Sequence, residues 1–429
     1  MTEFIIATVI LLAIIMIGVP IAFSVGITTV IYILMTNPHN IPAFPLRMFS
    51  GINSFLLMAL PLFMLAAEIM VSTGISKRIY DFVRIFLGRF RGGLAYANIG
   101  ATTVMGGLVG AALNDVAAMG KIIIDSMCEQ GYSKRFACAL TAGSSIQSPL
   151  IPPSNIGILY AGIMSLSVGA VLYAGLVPGL LLMLLQMLYI KIIGKRLNLP
   201  RDERIYSWQE KVQIMRDGII AIIMPLIMMI GITFGFFTPT EGAGVAVMYA
   251  LLIGLFVLRN LKINQIFSAV WVSVKNTANL FLIISFSSVF AWAVGMERVP
   301  EQLASIFLGI HDNKYVVLLF MNLILLIFGM WMETAAATML FAPIMGPIAV
   351  SMGVDPIHFA VIMIANLTVG LITPPVGVVL FFTANIGKIR IEELLKGVIP
   401  YILIGILLII IVTFSPNLVL FLPRFLGLV

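Results

Sequence analysis

The chain has 429 residues, of which 61% are hydrophobic and only 10% charged, with a mean hydropathy of +1.12. No soluble globular fold hides that much apolar surface, so the composition defines a polytopic membrane protein. The formal charge of +7 is read as topology, and with no basic patch interleaved with exposed aromatics, nucleic-acid binding is set aside.

Residues 1–23 lack a basic leader and an obvious cleavage site, and the apolar run is too long for a signal peptide. A retained first span is expected over 4–35, kinked near Gly18-Val19-Pro20. A second span is expected over 54–72. In 77–91, Ile79, Val83, Phe86 and Phe90 form an apolar stripe at helical spacing, with Lys77, Arg84 and Arg91 off it. That pattern predicts a helix lying flat at the membrane surface; a loop entering the next span is the alternative. Residues 92–124 are apolar but cut by Gly106-Gly107, Gly110 and Asn114-Asp115. A carboxylate at mid-membrane costs about 2.5–3.5 kcal/mol on insertion scales. The segment therefore reads as a re-entrant helical hairpin with its tip within 106–117.

The next hydrophobic stretch, 135–164, is broken by GSSIQSPLIPPSNIG, residues 143–157. Pro149, Pro152 and Pro153 cannot sit inside an unbroken helix, and the carbonyls they free need protein or a watery cavity over them. A span over 170–193 leads into the longest polar linker, 191–216, which carries seven cations including Lys191, Lys195 and Arg201. Spans over 218–236 and 242–258 are joined by Phe237-Thr238-Pro239-Thr240-Glu241. A span over 267–294, an interfacial stretch over 296–314 and a second hairpin over 315–350 follow, with Gly329 and Glu333 at the hairpin tip. A second broken span, 358–386, contains NLTVGLITPPVG, residues 366–377, and a last span covers 398–418. Two such breaks, one per half, point to the binding site of a secondary transporter.

Basic residues set the expected orientation. Placing 77–91, Lys134-Arg135, the linker, Arg259, Lys262, Lys388, Arg390 and Lys396 in the cytoplasm leaves only Arg47, Arg298, Lys314 and Arg424 outside. The N-terminus is then cytoplasmic and the C-terminus periplasmic. Cys128 and Cys138 fall on the inner side, need no disulfide and match no metal spacing.

The two halves repeat. Aligning Pro152-Pro153 with Pro374-Pro375 brings Pro178 onto Pro400 and Gly131 onto Gly353 without a gap, and Asn114-Asp115 onto Met332-Glu333 after a one-turn insertion. The first hairpin enters from the cytoplasm and the second from outside. The expected fold class is an all-α polytopic membrane protein with inverted-topology repeats, two re-entrant helical hairpins and two broken transmembrane helices.

The stretch from Gly235 to Gly244, GFFTPTEGAG, the paired-proline breaks and the two acid-bearing tips resemble the large membrane subunit of tripartite ATP-independent periplasmic (TRAP) transporters. The resemblance covers essentially the whole chain and is strongest toward the sialic-acid branch. It implies a sodium-driven carrier of an organic acid that works with a small four-helix membrane subunit and a periplasmic substrate-binding protein. It also implies a moving transport domain made of 92–164 and 315–386, against scaffold in 1–91, 165–314 and 387–429.

A hard cation wants several oxygen ligands, and helix breaks supply carbonyls. The expected sodium positions are Ser148 and Ile151 facing Gly107, with Ser154 the position matched to Val376, and Gly370, Thr373 and Val376 facing Gly329; tight packing alone is the competing explanation for the glycines and prolines. Asp115 and Glu333 are expected to act as ligands, as supports of ligands or as helix caps. Glu241 reads as a structural cap. A carboxylate substrate suits half-helix N-termini and hydroxyls, which nominates Ser144, Ser145, Ser154 and Asn155, with Asn114 and Glu333 at the hairpin tips. Serines bonded to carbonyls of their own helix are the alternative. A channel, an intramembrane enzyme and a stand-alone divalent-anion/sodium symporter compete as functions. His39, His311 and His358 are scattered and fit no protease pattern, and no Walker motif is present.

Overall fold

The computed structural model describes residues 2–202, 204, 206–310 and 313–429, with only the backbone described at 304 and 306–310; His311 lies outside these residues. Every regular element among them is helical. Seven helices are long and apolar enough to cross a membrane, or eight if a pair bent by 60° counts as one span.

The chain opens with α1 (Thr2–Met16) and α2 (Ile21–Thr36). The expected single kinked crossing is in fact an antiparallel pair. Phe4 and Tyr32, from opposite ends of the segment, both pack on Phe290, with ring centroids 6.5 and 6.1 Å away. The reversal has a local cause. Gly18 takes φ +93°, and the amides of Gly18 and Val19 bond to the carbonyls of Ile15 and Ile14. This is a glycine stop, which ends a helix where a proline would only bend it. The start of α1 therefore lies at the same end as Asn37 and not across the fold from it.

Next come α3 (Ala43–Ile52), α4 (Ala59–Ser72) and α5 (Ile75–Leu87). Helix α5 is the amphipathic arm, but its stripe is split. Ile79 and Val83 are buried, whereas Phe86 and Phe90 are exposed. Val83 packs where a Cβ on Gly100 would come within 2.8 Å, so α5 lies on the first hairpin. The hairpin is α6 (Gly93–Val109) and α7 (Ala112–Glu129), and the first broken span is α8 (Lys134–Ser145) and α9 (Asn155–Met164). Helix α10 (Val168–Arg196) leads to α11 (Trp208–Thr233), α12 (Pro239–Leu252) and the 34-residue α13 (Ile263–Met296). The second half has α14 (Val299–Ile310), hairpin helices α15 (Lys314–Trp331) and α16 (Thr334–Ser351), and broken-span helices α17 (Pro356–Gly370) and α18 (Val378–Gly387). It closes with α19 (Ile391–Phe414) and α20 (Pro416–Phe425).

Helix α19 serves as a ruler for the two hairpins. Arg135, beside the open end of the first hairpin, donates to the Lys396 carbonyl near the start of α19 (3.4 Å). His358, beside the open end of the second, bonds the Val412 carbonyl near its far end (2.8 Å). The hairpins thus enter from opposite faces, and the repeat is inverted.

Packing redraws the expected division of the chain. Helix α10 packs on α6, α9, α17 and α20, and α19 packs on α8 and α17, so both belong to the bundle that holds the hairpins. Close approach at glycines explains this. A Cβ on Gly175 of α10 would lie 2.6 Å from the Leu150 carbonyl, and one on Gly405 of α19 would lie 2.7 Å from the Val369 side chain. By packing, α10, α19 and α20 group with the hairpins and not with the rest of 165–314 and 387–429. The frame is α1–α5 with α11–α14, and it meets the bundle chiefly through α5 on α6 and α13 on α16.

Candidate functional site: a cavity ringed by helix N-termini

Each hairpin tip meets its broken span through glycine. A Cβ on Gly106 would lie 2.9 Å from Ser148 Cα, and one on Gly107 would lie 2.9 Å from the Pro152 carbonyl oxygen. In the second half, a Cβ on Gly329 would lie 2.8 Å from the Leu367 carbonyl oxygen. Both breaks carry a cis Pro-Pro bond, at Pro152-Pro153 and Pro374-Pro375. Among the described residues, the carbonyls of Ser148, Ile151, Pro152 and Pro153 accept no hydrogen bond, nor do those of Thr373 and Val376.

A cavity of about 290 Å³ lies where the breaks and tips converge. Four half-helices begin on its wall: α7 at Ala112, α9 at Asn155, α16 at Thr334 and α18 at Val378. Each N-terminus presents unbonded amides and about half a positive charge. Only α9 has a side-chain cap, from Ser154 to the Gly157 amide (3.1 Å). The caps of α7, α16 and α18, Ala111, Glu333 and Gly377, make no such bond. Among the described residues the leading backbone amides of α7 and α16 make no backbone bond and can meet an anion, whereas α18 leaves only the Val378 amide, because Val379 donates to the Leu371 carbonyl and Leu380 to that of Gly377. The opposite wall belongs to the frame, with Leu60 and Met64 of α4 and Asn276 and Asn279 of α13. An adjoining cavity of about 230 Å³ shares Met64, Asn114, Asn155 and Asn276 and runs on to Glu68, Val71 and Ala118. It leads toward the face that carries Lys77 and Lys134.

Of the six residues nominated for substrate, Asn114, Asn155 and Glu333 line the cavity. Asn155 also donates to the Val109 carbonyl, tying the first tip to its break (3.2 Å). Ser144 is fully buried inside the bundle, donating to Asn98 Oδ1 (3.1 Å) and to the Thr141 carbonyl. Ser145 donates to Ala142 within its own helix, and the Ser154 hydroxyl also bonds the Pro149 carbonyl. These three serines serve the bundle and do not reach the cavity. Asp115 is no cap, since the N-cap of α7 is Ala111 and Asp115 is already inside its first turn. Asp115 and Ser148 face each other, and Asp115 Oδ1 and Ser148 Oγ are buried with no hydrogen bond of normal geometry. Ile151 is buried against Gly106 and Gly179. Thr373 donates to Val369, and its amide bonds Gly370 (2.9 Å). Glu241 is the structural cap expected of it, closing a capping box with Thr238. Thr240 bonds the Phe55 carbonyl of the frame (2.9 Å).

Sequence reading passed over Asn276, Asn279 and Glu68. Asn276 and Asn279 are three apart and so share a face of α13. A pair of amides inside a long apolar helix was the available signal.

Opposed hairpins, two broken spans and a polar cavity between bundle and frame, all helical among the described residues, define the membrane subunit of a secondary transporter. The family model for the DctM component of tripartite ATP-independent periplasmic transporters matches residues 8–418, and the chain belongs to that family. It is 35% identical over 414 residues to the sialic acid TRAP transporter large permease protein SiaM of Vibrio cholerae, covering 96% of each chain. It is 35% identical to the C4-dicarboxylate TRAP transporter large permease protein DctM of Pseudomonas aeruginosa, covering 94% of this chain and 95% of that one. The solved structure of the Alcanivorax borkumensis YdaH transporter shares the fold, with a TM-score of 0.59 at 15% identity over 89% of this chain and 88% of that one.

Proposed function

We propose that this protein imports an organic acid, of the sialic-acid or C4-dicarboxylate kind, across the bacterial inner membrane in symport with sodium. The carrying observation is the convergence of four half-helix N-termini on one cavity, three of them without a side-chain cap. The positive ends of these half-helices, above all α7 with its unbonded leading amides, suit a carboxylate without any arginine. Sodium fits the first break, where unbonded carbonyls of Ser148 and Ile151 lie near the unpartnered Asp115 and Ser148 side chains. Carbonyls of Thr373 and Val376 offer a second set. The relatives named above support an organic-acid substrate, and membership of a tripartite family supports a small membrane subunit, expected to have four helices, and a periplasmic binding protein as partners.

The bundle carries substrate and ions as one body against the frame, an elevator. The cavity lies on the boundary between the two and extends toward the basic face, as it does in a carrier open to the cytoplasm. The start of α1 then faces the periplasm together with Asn37.

Uptake of labelled organic acid into proteoliposomes tests the reading. Accumulation is expected only with an inward sodium gradient, the small subunit and the binding protein present. Sodium-independent uptake would refute the coupling, and uptake without either partner would make the chain a stand-alone symporter.

A further inference from the structure

A cavity of about 590 Å³ shares no residue with the transport site. It lies between the end of the arm, the start of α6 and the last turns of α10. Four cations line it: Arg91, Lys191, Lys195 and Arg201. No carboxylate is in the lining, and none of the four makes an ion pair among the described residues. All four are exposed, so solvent screens their repulsion, and together they set up a positive field that favours an anion among them. Phe90 and Tyr96 meet edge to face at 6.5 Å in the same lining, a pairing suited to headgroup depth. Along α10, Leu184, Leu188 and Ile192 recur every four residues and are all more than half exposed, a stripe that faces lipid.

We propose that this pocket binds one anionic phospholipid of the cytoplasmic leaflet. The phosphate sits among the four cations, and the acyl chains lie on the Leu184–Leu188–Ile192 stripe. Basic pockets between transmembrane helices on the cytoplasmic side suit such headgroups, and arginine adds bidentate bonds to phosphate oxygens. The lipid joins α10 of the bundle to the end of the arm. A soluble phosphate would use the cations and leave the apolar stripe idle.

Native mass spectrometry of the full chain, co-purified with its small subunit, tests this against phosphatidylglycerol and phosphatidylcholine of the same chains. Phosphatidylglycerol should be retained preferentially. The Lys191→Gln/Lys195→Gln double variant should weaken its retention by about 30-fold, about fivefold for each cation. Arg196→Gln/Lys211→Gln, which removes two cations outside the cavity, should leave it unchanged, and unaltered thermal unfolding of both variants keeps the comparison fair. Equal retention of the two lipids, or equal behaviour of the two variants, overturns the proposal. Displacement by millimolar inorganic phosphate would make this a soluble-anion site, and retention of lipid by the chain alone but not by its complex with the small subunit would make it a protein contact; either result also overturns it.

Discussion

Gly329 and Gly370 meet backbone to backbone: a Cβ on Gly370 would lie 2.5 Å from the carbonyl carbon of Gly329. The second hairpin is thereby seated on its broken span with no room for a methyl group. Gly370→Ala must push the two apart, at about 1–3 kcal/mol for overpacking. Uptake normalised to membrane content should fall at least about tenfold. Gly244→Ala, which meets nothing within 4 Å, should leave uptake unchanged.

Ser148 and Ser145 separate an available hydroxyl from a spent one. Ser148 Oγ has no partner beside Asp115, whereas Ser145 donates to Ala142. If Ser148 helps hold sodium, Ser148→Ala should raise the sodium concentration for half-maximal uptake several-fold, and Ser145→Ala should not. Identical sodium curves for both variants would remove the Ser148 hydroxyl from the ion site.

Asn279 reaches the cavity from the frame. Asn279→Asp sets a carboxylate opposite the four N-termini. A unit charge about 5 Å from an anionic substrate costs roughly 3 kcal/mol at an effective dielectric of about 20. The KM for the organic acid should rise by at least about tenfold, while Asn279→Ser should stay within a few-fold. A normal KM for Asn279→Asp would place the substrate elsewhere.

Asp202 fastens the linker to the bundle and the arm. It accepts from Arg84 Nη2 (3.0 Å) and from Gln130 Nε2 (2.9 Å). Burial alone would raise its carboxyl, but these donors outweigh burial and hold it below the usual carboxylate value. A depressed folded pKa stabilises the latch above the unfolded value of about 3.9, and this is lost as pH falls through the lower folded value. Asp202→Asn should free the linker already at neutral pH. Trypsin should then cut after Arg201 and Arg204 several-fold faster than in the parent. An unchanged cleavage rate would show that the linker is held by other contacts.

The doubling back of α1 and α2 is open to labelling. In a background without Cys128 and Cys138, cysteines at Thr2 and Asn37 should react from one side and a cysteine at Ser207 from the other. Labelling of Thr2 together with Ser207 would restore the single crossing.

The sequence by itself determined the membrane class, the hairpins, the breaks and their inverted repetition, because each rests on a local cost. Proline removes a donor and crowds the preceding turn wherever it falls, and Asp115 or Glu333 in apolar surroundings demands a special site. The register that pairs Pro152 with Pro374 also pairs Ser144 with Asn366. Each of these bonds an asparagine of its own hairpin, Ser144 with Asn98 and Asn366 with Asn322. Only tertiary structure decided which side chains face the cavity, how α1 and α2 run, and where α10 and α19 belong. In lipid, outward-facing and inward-facing residues are equally apolar, so hydropathy marks a span without marking its inner face. That is why Ser144 and Ser145 were nominated and Asn276 and Asn279 were not. The face a helix turns inward is settled by contacts such as Gly175 against the Leu150 carbonyl and Phe4 against Phe290, which join residues distant in the chain.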